Sequence, residues 1–74
     1  MPAYTVIIER GEDGGYGAYA PDVPGCVALG DTEDEALREF TNALRFHFEG
    51  LREDGDPIPE PLTQIVRVTS VEVE

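Results

Sequence analysis

The sequence contains no lysine and no tryptophan, and its basic side chains are limited to five arginines and one histidine. The arginines are scattered along the chain rather than grouped: Arg10, Arg38, Arg45, Arg52 and Arg67. Proteins contact phosphate groups with clusters of lysine and arginine. The scarcity of cations therefore argues strongly against direct nucleic-acid binding, and it disfavours an anionic membrane surface as a partner.

Cysteine and histidine occur once each. The single cysteine, Cys26, has no partner for an intrachain disulfide, and the single histidine, His47, excludes a histidine-based metal cluster or a zinc-finger spacing. The N-terminus lacks the charged and apolar segments of a signal peptide, and no apolar run approaches the ~20 residues of a membrane helix. We therefore expect a cytoplasmic protein without a membrane span or a cofactor.

Carboxylates dominate the composition: sixteen aspartates and glutamates give a formal net charge of −11. Hydrophobic residues still make up 41% of the chain, which is enough for a core. A length of 74 residues allows one core, so we expect a single domain over residues 1–74. Because so small a core is marginally stable, we expect burial against another copy, as a homodimer or a higher homo-oligomer.

Three strands are predicted in the first thirty residues. Residues 4–9 are rich in β-branched and aromatic side chains, and residues 16–20 follow the glycine-rich segment 11–15 as the second strand of a hairpin. The prolines of segment 21–25 cannot donate to a strand ladder. They therefore separate the hairpin from a short third strand at residues 26–29.

An amphipathic helix is predicted from a cap at Thr32 to about residue 54. Thr32 and Glu35 match a capping box, in which the threonine accepts a backbone hydrogen bond and the glutamate reaches back to the threonine. Gly55 is the expected residue just past the helix end. Large apolar side chains recur at spacings of three and four and form one stripe: Leu37, Phe40, Leu44, Phe48 and Leu51.

The C-terminal part of the chain changes character twice. Proline alternates through residues 57–61, which predicts an extended loop, and residues 65–68 are predicted as a fourth strand. In residues 70–74 the apolar positions change parity, so we expect a bulge or a separate edge strand near Thr69. The order β-β-β-α-β describes an α+β two-layer domain, with one amphipathic helix packed on an antiparallel-rich sheet.

Three side chains leave alternatives open. Cys26 has no neighbouring cation or helix N-terminus to stabilise a thiolate, which favours a small buried hydrophobe over a reactive group. His47 lies on the flank of the apolar stripe, where a structural role at the core margin is favoured over contact with a partner. Phe46 falls on the solvent side of the helix, either as an isolated exposed aromatic or as part of an interface.

Carboxylates near strand ends and turns raise an enzymatic alternative, since two-metal nucleases are built from such groups. The candidates are Glu9, Asp13, Asp22 and Asp31. With sixteen acidic residues in the chain, some cluster by chance. A solvated, solubilising surface is therefore the favoured interpretation of these four.

Four motifs, in order, resemble the HicB antitoxin family. They are the Pro-Asp-Val-Pro-Gly-Cys run at residues 21–26, the Gly-Asp-Thr helix entry at 30–32, Glu-Ala-Leu at 35–37 and the alternating prolines at 57–61. The opening strand and the Gly-Gly-Tyr turn at 14–16 also fit, so the resemblance covers roughly residues 4–68. It implies a partial ribonuclease-H-like fold with the order β-β-β-α-β.

The resemblance also implies a function. HicB proteins bind and neutralise HicA toxins, which are small basic RNA-cleaving proteins with a double-stranded-RNA-binding-like fold, and they commonly self-associate. An acidic chain suits such a partner, because complementary charge speeds encounter. Many family members add a C-terminal helix-turn-helix or ribbon-helix-helix domain that binds DNA. This sequence stops at Glu74, so we expect no separate DNA-binding domain.

The leading hypothesis is therefore a stand-alone, non-enzymatic antitoxin that neutralises a small basic HicA-type toxin. The alternatives are a cut-down, metal-dependent ribonuclease-H-like nuclease and an orphan self-assembling domain. For Asp22, capping of amides in its own loop is favoured over direct contact with a toxin. The candidate residues for partner binding or for the family motif are Pro21, Asp22, Pro24, Gly25, Cys26 and Phe46.

Overall fold

The computed structural model describes residues 2–73 and contains three strands followed by one helix. The elements are β1 (Ile7–Arg10), β2 (Tyr16–Tyr19), β3 (Val27–Gly30) and α1 (Glu33–Asp54). The predicted α+β class is confirmed, with the helix packed on one face of an antiparallel sheet. No helix in this described part of the chain is long and apolar enough to span a bilayer.

The sheet is a meander in which β2 lies between β1 and β3. Ile7 pairs with Tyr19, and Tyr19 pairs in turn with Val27, so these three residues form one row across the sheet. Strand β1 begins three residues later than predicted. The pairing between β1 and β2 ends at Ile7 and Tyr19, shortly before Pro21, so residues 4–6 have no partner in β2. Within residues 2–73, β1 and β3 each keep one unpaired edge.

The glycine-rich connection between β1 and β2 forms the predicted hairpin turn. The Gly11 N–H donates to the Gly15 carbonyl at 2.7 Å, and the Asp13 carboxylate accepts from the Gly15 N–H at 2.9 Å. Gly14 has a φ of 88°, which a residue with a side chain rarely adopts. The turn is therefore set by its glycines and by Asp13.

The helix begins at its predicted cap, with one difference in the hydrogen bonding. The Thr32 hydroxyl oxygen accepts from the Glu35 N–H at 3.0 Å, as predicted. The Glu35 carboxylate accepts from the Asp31 N–H at 3.0 Å and not from Thr32, so this half of the predicted capping box is wrong by one residue. Both bonds satisfy backbone N–H groups at the helix entry.

The helix ends as predicted at Gly55, which is in the left-handed region with a φ of 74°. The Gly55 N–H donates to the Arg52 carbonyl at 3.2 Å, and the Asp56 N–H donates to the Leu51 carbonyl at 2.8 Å. This pair of bonds is a Schellman motif, which satisfies carbonyls at the end of a helix. Glycine is favoured here because it adopts this conformation without steric cost.

The core lies between the sheet and α1. Its fully buried members are mostly small: Ala18, Ala20, Val23, Cys26, Ala36 and Phe40. Phe40 provides the largest buried side chain, and Tyr4 packs its ring against Phe48 with the centroids 5.3 Å apart. Leu37 of the predicted stripe is 43% exposed, whereas its neighbour Ala36 is fully buried, so at the start of α1 the buried side of the helix is formed by Ala36 and Phe40.

Strand β3 meets the helix at Gly30. A Cβ atom at this position would lie 2.5 Å from the Ala36 backbone nitrogen and 2.9 Å from its Cα. Backbone atoms cannot yield as a flexible side chain can, so only glycine permits this close approach. Gly30 thereby allows the first turn of α1 to lie directly against the end of the sheet.

The predicted fourth strand is wrong for this chain in isolation. Residues 56–73 have no regular secondary structure, and Val66 within the predicted strand is 97% exposed. A strand needs a neighbour for its N–H and C=O groups, and residues 65–68 reach none of the described strands. The predicted loop at 57–61 is confirmed, since these residues have no regular secondary structure. The end of the alternating segment, Glu74, lies outside the described residues.

Replacement of Gly30 by alanine is expected to lower the free energy of unfolding by about 1–3 kcal/mol, because the new methyl group collides with the Ala36 backbone. Gly50→Ala is the matched control, since nothing lies within 4 Å of a Cβ there. In mid-helix this exchange is expected to stabilise by about 0.5–1 kcal/mol. Urea unfolding followed by far-UV circular dichroism measures both, and an unaltered Gly30→Ala midpoint would contradict the close packing.

Candidate partner-binding surfaces

The Pro-Asp-Val-Pro-Gly-Cys run forms a tight connection between β2 and β3. The Val23 N–H donates to the Ala20 carbonyl at 3.0 Å, and the Cys26 N–H donates to the Val23 carbonyl at 3.4 Å. Val23 and Cys26 point into the core and are buried. The remaining apolar members of the candidate set in this run face solvent: Pro21, Pro24 and Gly25. The run thus has an inner side that packs and an outer side that is accessible.

Cys26 behaves as the small buried hydrophobe that the sequence favours. Its side chain belongs to the core cluster, and burial raises the pKa of its thiol above the usual range. A raised pKa disfavours the nucleophilic thiolate. Cys26 therefore contributes packing, and it is not accessible to a partner in this conformation.

Asp22 makes the longest-range polar contact of the connection. Its carboxylate accepts the Thr63 hydroxyl at 2.6 Å and the Thr63 N–H at 2.8 Å. These hydrogen bonds, the hydroxyl bond foremost, hold the pKa of Asp22 below its ordinary value. The prediction that Asp22 caps amides of its own loop is wrong. The amide that it caps belongs to Thr63, 41 residues further along the chain.

Two further hydrogen bonds hold the same segment against the start of the chain. The Thr5 hydroxyl donates to the Thr63 carbonyl at 3.0 Å, and the Tyr4 hydroxyl donates to the Pro59 carbonyl. Together with the two bonds from Asp22, they fix residues 59–63 beside the residues that precede β1. We call the group of Asp22, Thr63 and Thr5 the anchor.

The hairpin turn, the end of β3 and the helix entry meet around a cleft of about 520 Å³. One cation, Arg10, lines it among several carboxylates. The carboxylates of this acidic cleft are Glu9, Asp13, Asp31 and Glu35. Three of the four candidate carboxylates are thus brought together, while Asp22 lies in the anchor. The sequence also places Glu12, Glu33 and Asp34 next to cleft residues, which makes this end of the molecule strongly negative.

The acidic cleft does not form a metal centre. Among residues 2–73, no three histidine, cysteine or carboxylate side chains are placed to hold an ion. Asp13 and Glu35 already accept backbone N–H groups, of Gly15 and Asp31. The carboxylates therefore shape local structure and create a negative field.

A second surface lies on the face of the sheet that α1 does not cover. Ile7, Tyr19 and Val27 form one row across the three strands. The next row on the same face consists of Glu9, Gly17 and Leu29. Val27 is 67% and Leu29 77% exposed. We call this apolar surface the outer face. The sequence analysis did not predict this face. A signal was present, because large apolar side chains at Val27 and Leu29 alternate with the small Ala28, which packs against the core.

The exposed aromatic of the helix lies where the periodicity places it. Phe46 is 78% exposed and borders a shallow hollow of about 300 Å³. His47 lies beside it, half-buried, with its ring centroid 6.2 Å from that of Phe48. The predicted location of His47 at the core margin is confirmed. A binding role for Phe46 stays a prediction.

Comparison with known proteins gives consistent matches over most of the chain. Residues 4–72 match the family model described as HicB_like antitoxin of bacterial toxin-antitoxin system. The chain is 40% identical over 57 residues to the UPF0150 protein ssr1765 of Synechocystis sp., covering 77% of this chain and 72% of that protein. It is 43% identical over 58 residues to Antitoxin HicB 1 of Photorhabdus laumondii, covering 78% of this chain and 37% of that antitoxin.

A solved structure also matches the fold. The N-terminal domain of the Burkholderia pseudomallei antitoxin HicB superposes with a TM-score of 0.71 at 27% sequence identity. The match covers 80% of this chain and 69% of that one. At this level of similarity the arrangement of three antiparallel strands and one helix is shared.

The anchor yields a prediction on stability. Asp22→Ala is expected to lower the thermal midpoint, because it leaves the Thr63 N–H and hydroxyl without their acceptor. Thr63→Ser is the matched control, since serine keeps both donors, and it is expected to change the midpoint little. Differential scanning calorimetry at neutral pH compares the two, and equal midpoints would contradict the anchor.

The same carboxylate predicts a pH dependence. The pKa of Asp22 is lowered from 3.8 in the folded state. The ionised group therefore contributes its stability above the unfolded pKa and loses it as pH falls through the folded pKa. The stability difference between the native chain and Asp22→Ala is expected to be constant from neutral pH to about pH 5 and to shrink below about pH 4. Urea midpoints at each pH measure it; a difference that grows on acidification would contradict the assignment.

Proposed function

The chain belongs to the HicB-like antitoxin family of bacterial toxin–antitoxin systems, and from this premise we propose that it binds and neutralises a small basic RNA-cleaving toxin of the HicA type. The observation that carries the proposal is the concentration of carboxylates around the acidic cleft, with Arg10 as its one cation. Family membership supplies the class of partner. The charge distribution supplies the means of recognising it.

Charge complementarity follows from what the toxin has to do. A protein that cleaves RNA contacts phosphates through lysine and arginine, so its functional surface is positive. This chain carries a net charge of −11, and the carboxylates of the acidic cleft lie at one end of the molecule. Opposite potentials raise association rates from about 10⁵–10⁶ to as much as 10⁸–10⁹ M⁻¹s⁻¹ at low salt. Fast capture is useful for an inhibitor of a destructive enzyme.

In this proposal the antitoxin neutralises the toxin by covering the basic surface that binds RNA. Carboxylate oxygens of Glu9 and Asp31 take the place of RNA phosphate oxygens against the basic surface of the toxin, and substrate is excluded from it. No bond is made or broken, so the protein acts as an inhibitor and not as an enzyme. The negative charge that attracts the toxin also repels RNA and DNA. The site of action is the cytoplasm, where the toxin meets its RNA.

The apolar surfaces complement this electrostatic contact. Charge at the rim of an interface sets the encounter rate, whereas apolar side chains in its centre prolong the complex. The outer face offers such side chains in Val27 and Leu29, and Leu29 also lines the acidic cleft. A toxin seated on the cleft therefore reaches the outer face through Leu29.

Co-expression with the small basic product of a neighbouring gene tests the proposal directly. We expect this chain to restore growth arrested by that toxin and the two proteins to elute together on size exclusion. The measurement is growth on induction of the toxin with and without the antitoxin. Absence of both rescue and complex would refute the proposed function.

The location of the contact is tested by paired charge neutralisations. Glu9→Gln with Asp31→Asn removes two charges from the acidic cleft, and we expect the association rate with the toxin to fall about five- to tenfold at low salt. Glu49→Gln with Glu53→Gln is the control, because it makes the same change in net charge on exposed positions of the later part of α1. Stopped-flow or biosensor kinetics at two salt concentrations compare them. Equal effects of the two pairs would show that net charge alone steers the toxin.

A further inference from the structure

The segment that follows the anchor is unusually apolar for an exposed one. We call residues 64–73 the tail; they run from Gln64 to Val73. Its large apolar side chains are exposed in the described structure: Ile65, Val66, Val68, Val71 and Val73. An apolar run of this size and β-propensity, left in water, marks an interaction segment. The tail therefore lacks a partner in the isolated chain.

Strand β1 lacks a partner as well. It pairs with β2 on one side only, so within residues 2–73 the opposite edge presents unpaired backbone N–H and C=O groups. Proteins cover or pair such edges because they attract other strands. The anchor bonds Thr63 to Thr5 at 3.0 Å, which places the start of the tail next to the start of β1. The same chain thus contains a segment with the composition of a strand, the tail, and a free strand edge, that of β1.

The exposed area is larger than that of a compact chain of this mass. A monomer of 8.1 kDa is expected to expose about 4,500 Å², and this chain exposes 6124 Å². The radius of gyration is 14.1 Å, against about 11 Å for a compact domain of 74 residues. The excess is about 1,600 Å² per chain, twice the ~800 Å² that each partner buries in a standard interface. Two copies that covered it together would bury about 3,200 Å², which is in the range of obligate homodimers.

We propose that two copies of this chain exchange tails, the tail of each adding as a fourth strand to the free edge of β1 in the other. Each copy supplies one strand and one edge, so a two-fold arrangement satisfies both at once and closes without further growth. The fourth strand that the sequence predicts at residues 65–68 is then formed between chains. The partner in this contact is a second copy of the same chain.

Charge favours a second copy over a basic partner at this place. The tail contains one cation, Arg67, and one anion, Glu72, and is therefore neutral within a chain of net charge −11. Strand β1 is also neutral, with Glu9 beside Arg10. Two acidic chains repel least where both surfaces are neutral and apolar. A basic toxin, by contrast, is attracted to the acidic cleft.

The side-chain pattern of the tail fits a strand with one bulge. Val66 and Val68 share one parity, whereas Val71 and Val73 share the other. One extra residue near Thr69 brings all four valines to the same face, as a β-bulge does. The four valines then form one apolar face of the added strand, and Ile65 and Arg67 lie on the opposite one.

The oligomeric state is the first test, and it needs no toxin, so its result is independent of the proposed function. Analytical ultracentrifugation of the full chain is expected to give twice the 8.1 kDa mass. Val68→Pro removes a strand N–H and is expected to raise the dimer dissociation constant at least tenfold. Val68→Ile keeps the N–H and is the matched control. An unchanged helical circular dichroism signal shows that each variant is folded; a monomeric native chain, or a dimer indifferent to Val68→Pro, overturns the proposal.

Disulfide trapping identifies which segments pair. In a Cys26→Ala background, one chain carries Glu9→Cys and the other carries Val68→Cys, with Val66 and Val71 tried in turn to scan the register. After mixing and mild oxidation we expect a covalent dimer that joins the two different chains. A link between two Val68→Cys chains alone would show tail-to-tail pairing. A link within one chain that carries both cysteines would show that the tail folds back on its own β1. Either result overturns the exchange.

Discussion

The fold depends on the packing of one amphipathic helix against one face of a three-stranded sheet. Phe40 provides the large buried side chain of this contact, and alanines at positions 18, 20 and 36 let the layers approach closely. The approach is tightest at Gly30, where the strand backbone leaves no room for a Cβ beside Ala36. Apolar burial is the main favourable term in folding, and the buried residues of the described chain form one cluster at this contact.

Because only one helix is present in the described structure, only one face of the sheet is covered. The opposite face keeps Val27 and Leu29 in solvent, and the edge of β1 keeps its backbone groups unpaired. The polar anchor holds the proline loop in place but stops at Thr63, and of the large apolar side chains in the tail beyond it only Ile65, which is 49% exposed, is half-buried. A domain that leaves such side chains exposed gains stability from any partner that covers them. The proposed contacts use these same exposed surfaces.

The two kinds of surface suit two kinds of partner. Carboxylates gather at the hairpin turn and the helix entry, where Asp13 and Glu35 are held in place by backbone N–H groups. That end attracts a basic protein over a distance. The neutral, apolar tail and β1 edge act only at contact range, where two acidic chains can still meet. Glu9 and Arg10 belong both to β1 and to the acidic cleft, so the two proposed contacts lie side by side on this strand.

Local features were predictable from the sequence, because they are set by neighbouring residues. The hairpin turn follows from Gly14 and Asp13, and the helix runs from its Thr32 cap to Gly55. The exposure of Phe46 follows from helical periodicity, and the net charge follows from counting. The family motifs likewise depend on residue type and order, and the family assignment agrees with them.

Contacts between distant residues were decided only by the tertiary structure. Asp22 bonds to Thr63 across 41 residues, and no local pattern names that partner. The gathering of Glu9, Asp13 and Asp31 around one cleft depends on how the strands pair and where the helix begins. The tail has the composition of a strand, yet a strand exists only when an edge is available to it. The sequence by itself determined the first three strands, the helix, the charge and the family motifs, since these arise from residues close together in the chain. The tertiary structure decided which surfaces stay unpaired, since that depends on how much of each element the others can cover.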